Sequence, residues 1–394
     1  MSKQKTHIII GIDIGSRKTR LVIAEHTYLS HLGKKSFPKI LQTLEVETGG
    51  VFRGDIVDEK EVMDTLWSII QMIEKSLKNQ IRHIIISLNA SGISSVWGHS
   101  SILNTNLTGE IDPTLITRIE EEAKKNVGIT KNKKHIHTIP IKYKIDQNEI
   151  QGSPINMLGK KIEGKLLFIS SPISYIDKLE NIFSQLNLDI DDMVVGPFAE
   201  CNMLLNKKER IAGVALINFG HSTTSLLVYE NNNPIILSVL PCGSNDITND
   251  IALGFQVSLE EAEDIKCGKS ALNLSKRKLE EIVEARIADI CEKINIELQK
   301  IARKELLPGG VVLTGGGSAF LGIEALFKHN LKLPIKFSNE ELFKKTNKQL
   351  HNTNYAKALG LTYFASIINE EYKTTKILKT FFSKIIVFFK KIIP

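Results

Sequence analysis

Residues 10–25 read IGIDIGSRKTRLVIAE and residues 215–230 read ALINFGHSTTSLLVYE, and the two stretches superpose at a constant offset of 205. Gly15 falls on Gly220, Thr19 on Thr224, Leu21 on Leu226 and Glu25 on Glu230, while Asp13 falls on Asn218, an amide in place of the acid. Each stretch is an apolar strand, a tight turn holding glycine, and a second apolar strand, the pattern of a β-hairpin. Two related hairpins half a chain apart predict an internal duplication. A turn that approaches a phosphate needs positions without side chains and backbone N–H groups that point outward. Gly15-Ser16-Arg17-Lys18 offers these together with a hydroxyl and a cation, and Gly220-His221-Ser222-Thr223 offers the same without the lysine. A third turn, Gly315-Gly316-Gly317, follows a short apolar strand at 311–314 and enters a helical pattern, which suits a nucleotide set against a helix N-terminus.

Outward from the hairpins, Leu66, Ile69, Ile70, Ile73 and Leu77 recur at helical spacing, and 82–88 reads as a strand. Asp112 and Pro113 supply an N-cap and a first-turn proline for a helix carrying Leu115, Ile116, Ile119, Ala123 and Val127 on one face. Strands at 137–145 and 161–170 flank a polar Gly/Pro loop at 152–159. Ser258 and Glu261 form a capping box, with Gly268 at the C-terminal stop. A long amphipathic helix from Ser275 to Leu306 is ended by Pro308-Gly309-Gly310.

The 394 residues allow two ordinary domains, and 42% apolar with 24% charged residues is globular composition. The net charge of +7 is concentrated in the tail: residues 373–394 hold six lysines and no acid, and without them 45 basic face 44 acidic residues. A nucleic-acid binder of this size spreads a basic stripe over its folded face, so no nucleic-acid partner is expected. Cys201, Cys242, Cys267 and Cys291 form no C-x-x-C pair, and a reducing compartment is the expectation. His135 and His137 read as surface strand residues rather than metal ligands. Gly268-Lys269-Ser270 resembles the end of a P-loop, but Glu263 stands where its first glycine belongs.

No apolar run approaches the ~20 residues of a spanning helix. At about 100° per residue, however, Ile377, Leu378, Phe381, Phe382, Ile385, Ile386, Phe388 and Phe389 fill one half of a helical wheel. Lys376, Lys379, Lys384, Lys390 and Lys391 fall in the other half. A basic, aromatic-rich amphipathic helix of this kind predicts an anchor lying in an anionic membrane surface.

The two strand-flanked turns, the later glycine turn and the AEDIK helix at 262–266 resemble the actin-like ATPase superfamily. Within it the chain resembles the FtsA family of bacterial division proteins, nearly end to end. GIDIGSRKT at 11–19, GGVFRGDIVD at 49–58, HTIPIKYKID at 137–146, SPINMLGKKIEGKLLFI at 153–169, LPCGSNDITNDIALGF at 240–255 and VVLTGGGSAFLG at 311–322 carry the likeness. The resemblance implies an actin-like (RNase H-like duplicated) α/β ATPase fold with an FtsA-type inserted subdomain and a C-terminal amphipathic helix. The implied boundaries are 1–81 with 166–194 and 195–228 with 305–365 for the two nucleotide-binding subdomains. The inserted subdomain would span 82–165, the subdomain of the second lobe 229–304, a short linker 366–375 and the membrane helix 376–394.

The resemblance also implies ATP and Mg2+ as cofactors. Asp13 with the metal, Gly15, Ser16 and Lys18 would form the first phosphate loop, and Asn218, Gly220, His221, Ser222 and Thr223 the second. Glu263 and Lys266 would reach the ribose, Gly315, Gly316, Gly317 and Phe320 would hold the adenosine side, and Pro241-Cys242-Gly243-Ser244 would belong to the interlobe hinge. The C-terminal peptide of FtsZ would meet Lys276, Arg277, Lys278, Arg286 and Lys293. Self-association, other division proteins at the inserted subdomain, and a peripheral position on the cytoplasmic face of the membrane at the septum are implied as well. The second loop departs from the D-x-G-G-G-T-T pattern of these relatives, because an amide at 218 neither accepts a proton nor balances Mg2+ charge. The catalytic acid that some relatives place before a proline has as its nearest counterpart Gly196-Pro197. Nucleotide binding with slow or absent hydrolysis is therefore expected. The alternatives are another actin-like membrane-associated scaffold or a kinase of the same superfamily.

Overall fold

The computed structural model describes residues 6–27, 38–150, 152–269, 275–320, 322–338 and 352–374. The first lobe opens with the hairpin β1 (Thr6–Ile14) and β2 (Lys18–Thr27), followed by β3 (Lys39–Glu47) and the small hairpin β4 (Val51–Phe52) and β5 (Asp55–Ile56). Helix α1 (Glu59–Leu77) starts where Asp58 accepts hydrogen bonds from the N–H groups of Lys60 and Glu61, and it stops at Lys78 in the left-handed region. Its buried stripe is Val62, Leu66, Ile69, Ile70 and Ile73, each worth about 1.5–3 kcal/mol on transfer from water. Strand β6 (His83–Leu88) then lies parallel to β1.

The inserted unit contains β7 (Ser94–Leu103), α2 (Pro113–Val127), β8 (Lys133–Ile145), β9 (Asn148–Ile150) and β10 (Lys161–Pro172). Asp112 caps α2 by accepting from the N–H of Leu115, with Pro113 in the first turn. Its separate core gathers Leu115, Ile119, Tyr143, Ile162, Leu166 and Phe168. The unit begins after β6, later than the expected boundary at Arg82, because β6 is held between β1 and β11 (Asp189–Val195) in the first lobe's sheet. Helix α3 (Ile173–Gln185) leads from β10 into β11.

The second lobe follows through α4 (Gly196–Leu204) and α5 (Lys207–Ala212) to the second hairpin, β12 (Val214–Phe219) and β13 (Thr224–Glu230), and then β14 (Asn233–Leu240). Helices α6 (Ser244–Phe255), α7 (Leu259–Lys266) and α8 (Lys276–Lys300) precede β15 (Val311–Thr314), α9 (Ile323–Leu331), β16 (Ile335–Phe337) and α10 (Ala356–Thr374). Ser258 and Glu261 close the capping box of α7, and Gly268 follows in the left-handed region at φ +69°.

The duplication is visible strand for strand. The first sheet has the order β11-β6-β1-β2-β3, and the second begins β16-β15-β12-β13-β14, with antiparallel and parallel neighbours in the same places. The second sheet continues through β7, β10, β8 and β9, so the inserted unit extends the second lobe's sheet at the Ser238–Ser94 pair.

Helices α4 and α10 pack on each other, and α10 lies across β1, β2 and β6. Ala356, Ala358, Leu359, Leu361, Phe364 and Ala365 join the hydrophobic core that holds the first lobe's sheet and reaches Leu216, Leu227 and Val312 of the second. This corrects the assignment of 305–365 wholly to the second lobe: the small, apolar face of α10 lies flat on the first sheet. Helix α10 also continues to Thr374 through the expected linker at 366–375.

Candidate functional site

The two hairpin turns close in the same way. The N–H of Gly15 donates to the carbonyl of Lys18 at 3.2 Å, and that of Gly220 to the carbonyl of Thr223 at 2.9 Å. A Cβ added at Gly15 or Gly220 would stand 2.7 or 2.8 Å from the same carbonyl oxygens, so both turns need glycine for close approach. The turns face each other across the lobes, where the N–H of Ser222 donates to Ser16 Oγ at 3.3 Å.

Between the lobes lies a cavity of about 1120 Å³. Both turns, the Gly315–Gly317 turn with Phe320, Asp13, Asn218, and Glu263 and Lys266 of α7 all line it. Of the residues expected at a nucleotide, Ser222 is the one outside the lining. Its Oγ accepts from the N–H of Arg53 at 3.0 Å, so its side chain ties the β4–β5 turn to the second lobe instead of facing the cavity.

At one end of the cavity Asp13 is buried and accepts from Ser87 Oγ at 2.5 Å and Asn89 Nδ2 at 2.8 Å. Lys357 of α10 donates to Asn89 Oδ1 at 3.2 Å. Beside them Asn218 Nδ2 donates to Glu200 Oε2 at 2.7 Å. Burial pushes the Glu200 carboxyl up to about 7, against the Lys357 charge and the Asn218 hydrogen bond, with the Asp13 charge adding to the rise.

At the other end Glu263 accepts from Lys266 Nζ at 2.6 Å and Thr248 Oγ1 at 2.7 Å, and it also pairs with Arg17 of the first lobe. Burial alone would raise its pKa, but these donors outweigh burial and hold it at about 2. His221 is pushed down to about 4, first by burial and then by the Lys266 and Arg17 charges. It is therefore neutral near pH 7. Lys18 is turned onto Glu45 of β3. A second cross-cleft pair joins Arg53 and Asp246 at 3.4 Å.

Sequence reasoning passed over Glu200, Ser87, Asn89 and Lys357. Glu200 carried a signal, since a single acid in the apolar run GPFAECNML has to be buried with a purpose. Ser87, Asn89 and Lys357 have no motif and reach the site through sheet order and helix packing. The turn Pro241–Ser244 backs the second hairpin, the N–H of Ser244 donating to Gly220 O at 2.9 Å and that of Asn245 to His221 O at 2.7 Å. One further expectation is corrected. His137 is buried rather than at the surface: its Nε2 accepts from the N–H of Val195 at 3.3 Å, because β8 packs against the first lobe.

The five basic residues of α8 are split among its faces. Arg286 is held by Asp250 at 2.5 and 2.8 Å, and Lys293 pairs with Asp289 at 2.8 Å. Lys278 lies 5.0 Å over the Phe255 ring, Arg277 pairs with Glu281 at 2.9 Å, and Lys276 lines the mouth of the large cavity. The membrane residues expected between Lys376 and Lys391 lie outside the described residues. Among the described residues no helix is long and apolar enough to cross a membrane.

A family model described as Cell division protein FtsA matches residues 215–360, and one described as SHS2 domain inserted in FTSA matches residues 91–170. The FtsA protein of Borreliella burgdorferi is 26% identical over 95% of this chain and 94% of its own length. That of Pseudomonas aeruginosa is 24% identical over 92% of this chain and 90% of its own, and that of Bacillus subtilis 25% over 91% and 83%. Among solved structures, the PilM–PilN type IV pilus biogenesis complex aligns with a TM-score of 0.63 at 17% identity, over 90% of this chain and 97% of that one. MreB5 of Spiroplasma citri, solved bound to ADP, aligns with a TM-score of 0.52 at 12% identity, over 94% and 99%. These structures share the fold, and the two family models together with the relatives matched over more than nine-tenths of the chain name the family: the chain belongs to the FtsA family of actin-like cell-division proteins.

Proposed function

We propose that this chain binds ATP with Mg2+ between its lobes, lies on the cytoplasmic face of the membrane at the division septum, and tethers FtsZ there. The observation that carries the nucleotide reading is the convergence of two repeat-related turns and the Gly315–Gly317 turn on one cavity. N–H groups of the turns would meet the phosphates, and Glu263 and Lys266 would meet the ribose. MreB5 of Spiroplasma citri has been solved bound to ADP and to AMPPNP. The donor set suits Mg2+, which takes one or two carboxylates and completes its shell with phosphate and water. Asp13 would hold it, and the cation would offset the charge of the phosphates.

Asn218 supports slow or absent hydrolysis, since an amide takes no proton from an attacking water. Calorimetry with ATP and Mg2+ should show saturable binding at one site per chain, with a steady-state hydrolysis rate far below that of active actin-like ATPases. Absence of binding would sink the reading.

The tail carries the membrane part of the proposal through its lysines and apolar half-wheel. Truncation after Asn369 should abolish sedimentation with anionic vesicles and leave nucleotide binding intact; unchanged sedimentation refutes the anchor. FtsZ should sediment with vesicles only in the presence of the full chain. On α8, Lys276, Arg277 and Lys278 are the better candidates for the FtsZ peptide, because the first two side chains are 88% exposed and the third is exposed as well, whereas those of Arg286 and Lys293 are 30% and 44% exposed. Self-association through the lobes and further division proteins at the inserted unit complete the proposal. A pilus-type scaffold shares the fold, and the SHS2 match at 91–170 favours the division role.

A further inference from the structure

The repeat sets an acid at 13 and an amide at 218, yet the cleft is not short of a carboxylate. Glu200 sits on α4 one turn past Pro197, among the buried Phe198, Ala199, Cys201, Met203 and Leu204. It is 1% exposed and lines the same cavity as Asp13 and Asn218. Oε2 accepts from the Asn218 amide at 2.7 Å, while Oε1 is buried with no hydrogen-bond partner among the described residues. A buried carboxylate oxygen without a donor costs stability, so its presence beside the phosphate end of a cleft points to something that fills it. Lys357 and Asp13 are the other charged groups close to it.

The amide at 218 is then a requirement rather than a loss. An aspartate there would set two carboxylates 2.7 Å apart in a buried place, where both cannot stay ionised. Asn218 instead donates to Glu200 and fixes its orientation. Relative to the first hairpin, the negative charge has moved from the strand end to the neighbouring helix without leaving the cleft.

We propose that Glu200 replaces the acid missing at 218, so that a divalent cation entering with a nucleotide meets two carboxylates, Asp13 and Glu200, with Asn218 as the positioning residue. This rests on the nucleotide-binding reading for the cation, and on the Asn218–Glu200 contact alone for the exchange of charge.

The test uses the full chain, ADP as probe, and calorimetry in Mg2+ and in a chelator, with melting temperatures of the nucleotide-free proteins as a second readout. The wild type should bind ADP about tenfold or more tightly with Mg2+ than without. Glu200→Gln should lose most of that increment with a melting temperature no lower than the wild type's. Asn218→Asp alone should melt lower, by several degrees. Glu200→Gln combined with Asn218→Asp should restore both the melting temperature and the Mg2+ increment, since the double variant returns one acid and one amide. A wild-type increment in Glu200→Gln overturns the cation role, and a double variant that melts no higher than Asn218→Asp overturns the exchange. If the wild type binds no ADP in either buffer, the nucleotide reading and the cation role fall together, and the melting temperatures still decide the exchange.

Discussion

In the first hairpin Asp13 receives hydrogen bonds from Ser87 and Asn89 on and just after the neighbouring strand; in the second, Asn218 gives one, to Glu200 on a helix. Backbone and strand order are the same around both. The difference teaches that a duplicated fold preserves the turn, which is set by main-chain geometry, while the charge beside it is free to migrate to any element that packs within reach. Ser16 and His221 differ similarly, the one a hydroxyl that accepts across the cleft, the other a half-buried imidazole kept neutral by its surroundings.

The comparison breaks most readily at the glycines. Gly15→Val and Gly220→Val each drive a side chain into the carbonyl that closes the turn, and each should cost about 1–3 kcal/mol in urea unfolding. The two costs should agree within about 0.5 kcal/mol; a large inequality would mean that the turns are not equivalent. A smaller effect separates His221 from its counterpart. Because its folded pKa lies near 4, below the unfolded value of about 6.5, the unfolded chain binds the proton first on acidification. Stability from this group is complete above pH 6.5 and declines towards pH 4. Allowing for partial exposure, the decline is on the order of 1 kcal/mol and should vanish in His221→Ser, as read from unfolding at pH 7 and pH 5. The smallest effects belong to the cross-cleft pairs. Arg17 and Arg53 are about half exposed, at 49% and 53%, so Arg17→Ala and Arg53→Ala should each change stability by less than about 1 kcal/mol. A larger loss in either would show that the lobes are clamped through these pairs rather than through the α4–α10 packing.

Much of this was legible before any coordinates. The hairpins, the caps at Asp112 and Ser258 and the glycine turn at 315–317 all follow from local rules, because turn and cap preferences depend on a few neighbouring backbone groups. The residues expected at a nucleotide line one cavity with the exception of Ser222. Glu200 lies one turn past Gly196-Pro197, yet nothing in a linear pattern says that a glutamate there faces an asparagine on a strand. His137 is placed at the surface for a related reason: alternation along β8 shows which residues share a face, and both faces are covered from Ile136 to Ile139.

The sequence by itself determined the duplication, the two hairpins, the starts of the long helices, and the separation of a neutral body from a lysine-rich tail; it did not fix the stop of α8, which ends at Lys300 rather than at the expected Leu306. Those features come from sterics and hydrophobic periodicity between near neighbours. Tertiary structure alone decided that α10 lies on the first lobe, that the inserted unit lengthens the second lobe's sheet, and that Glu200 of α4 meets Asn218 of the second hairpin. These depend on which distant surfaces pack together, and a buried amide and carboxylate find each other only once sheet and helix have fixed the distance between them.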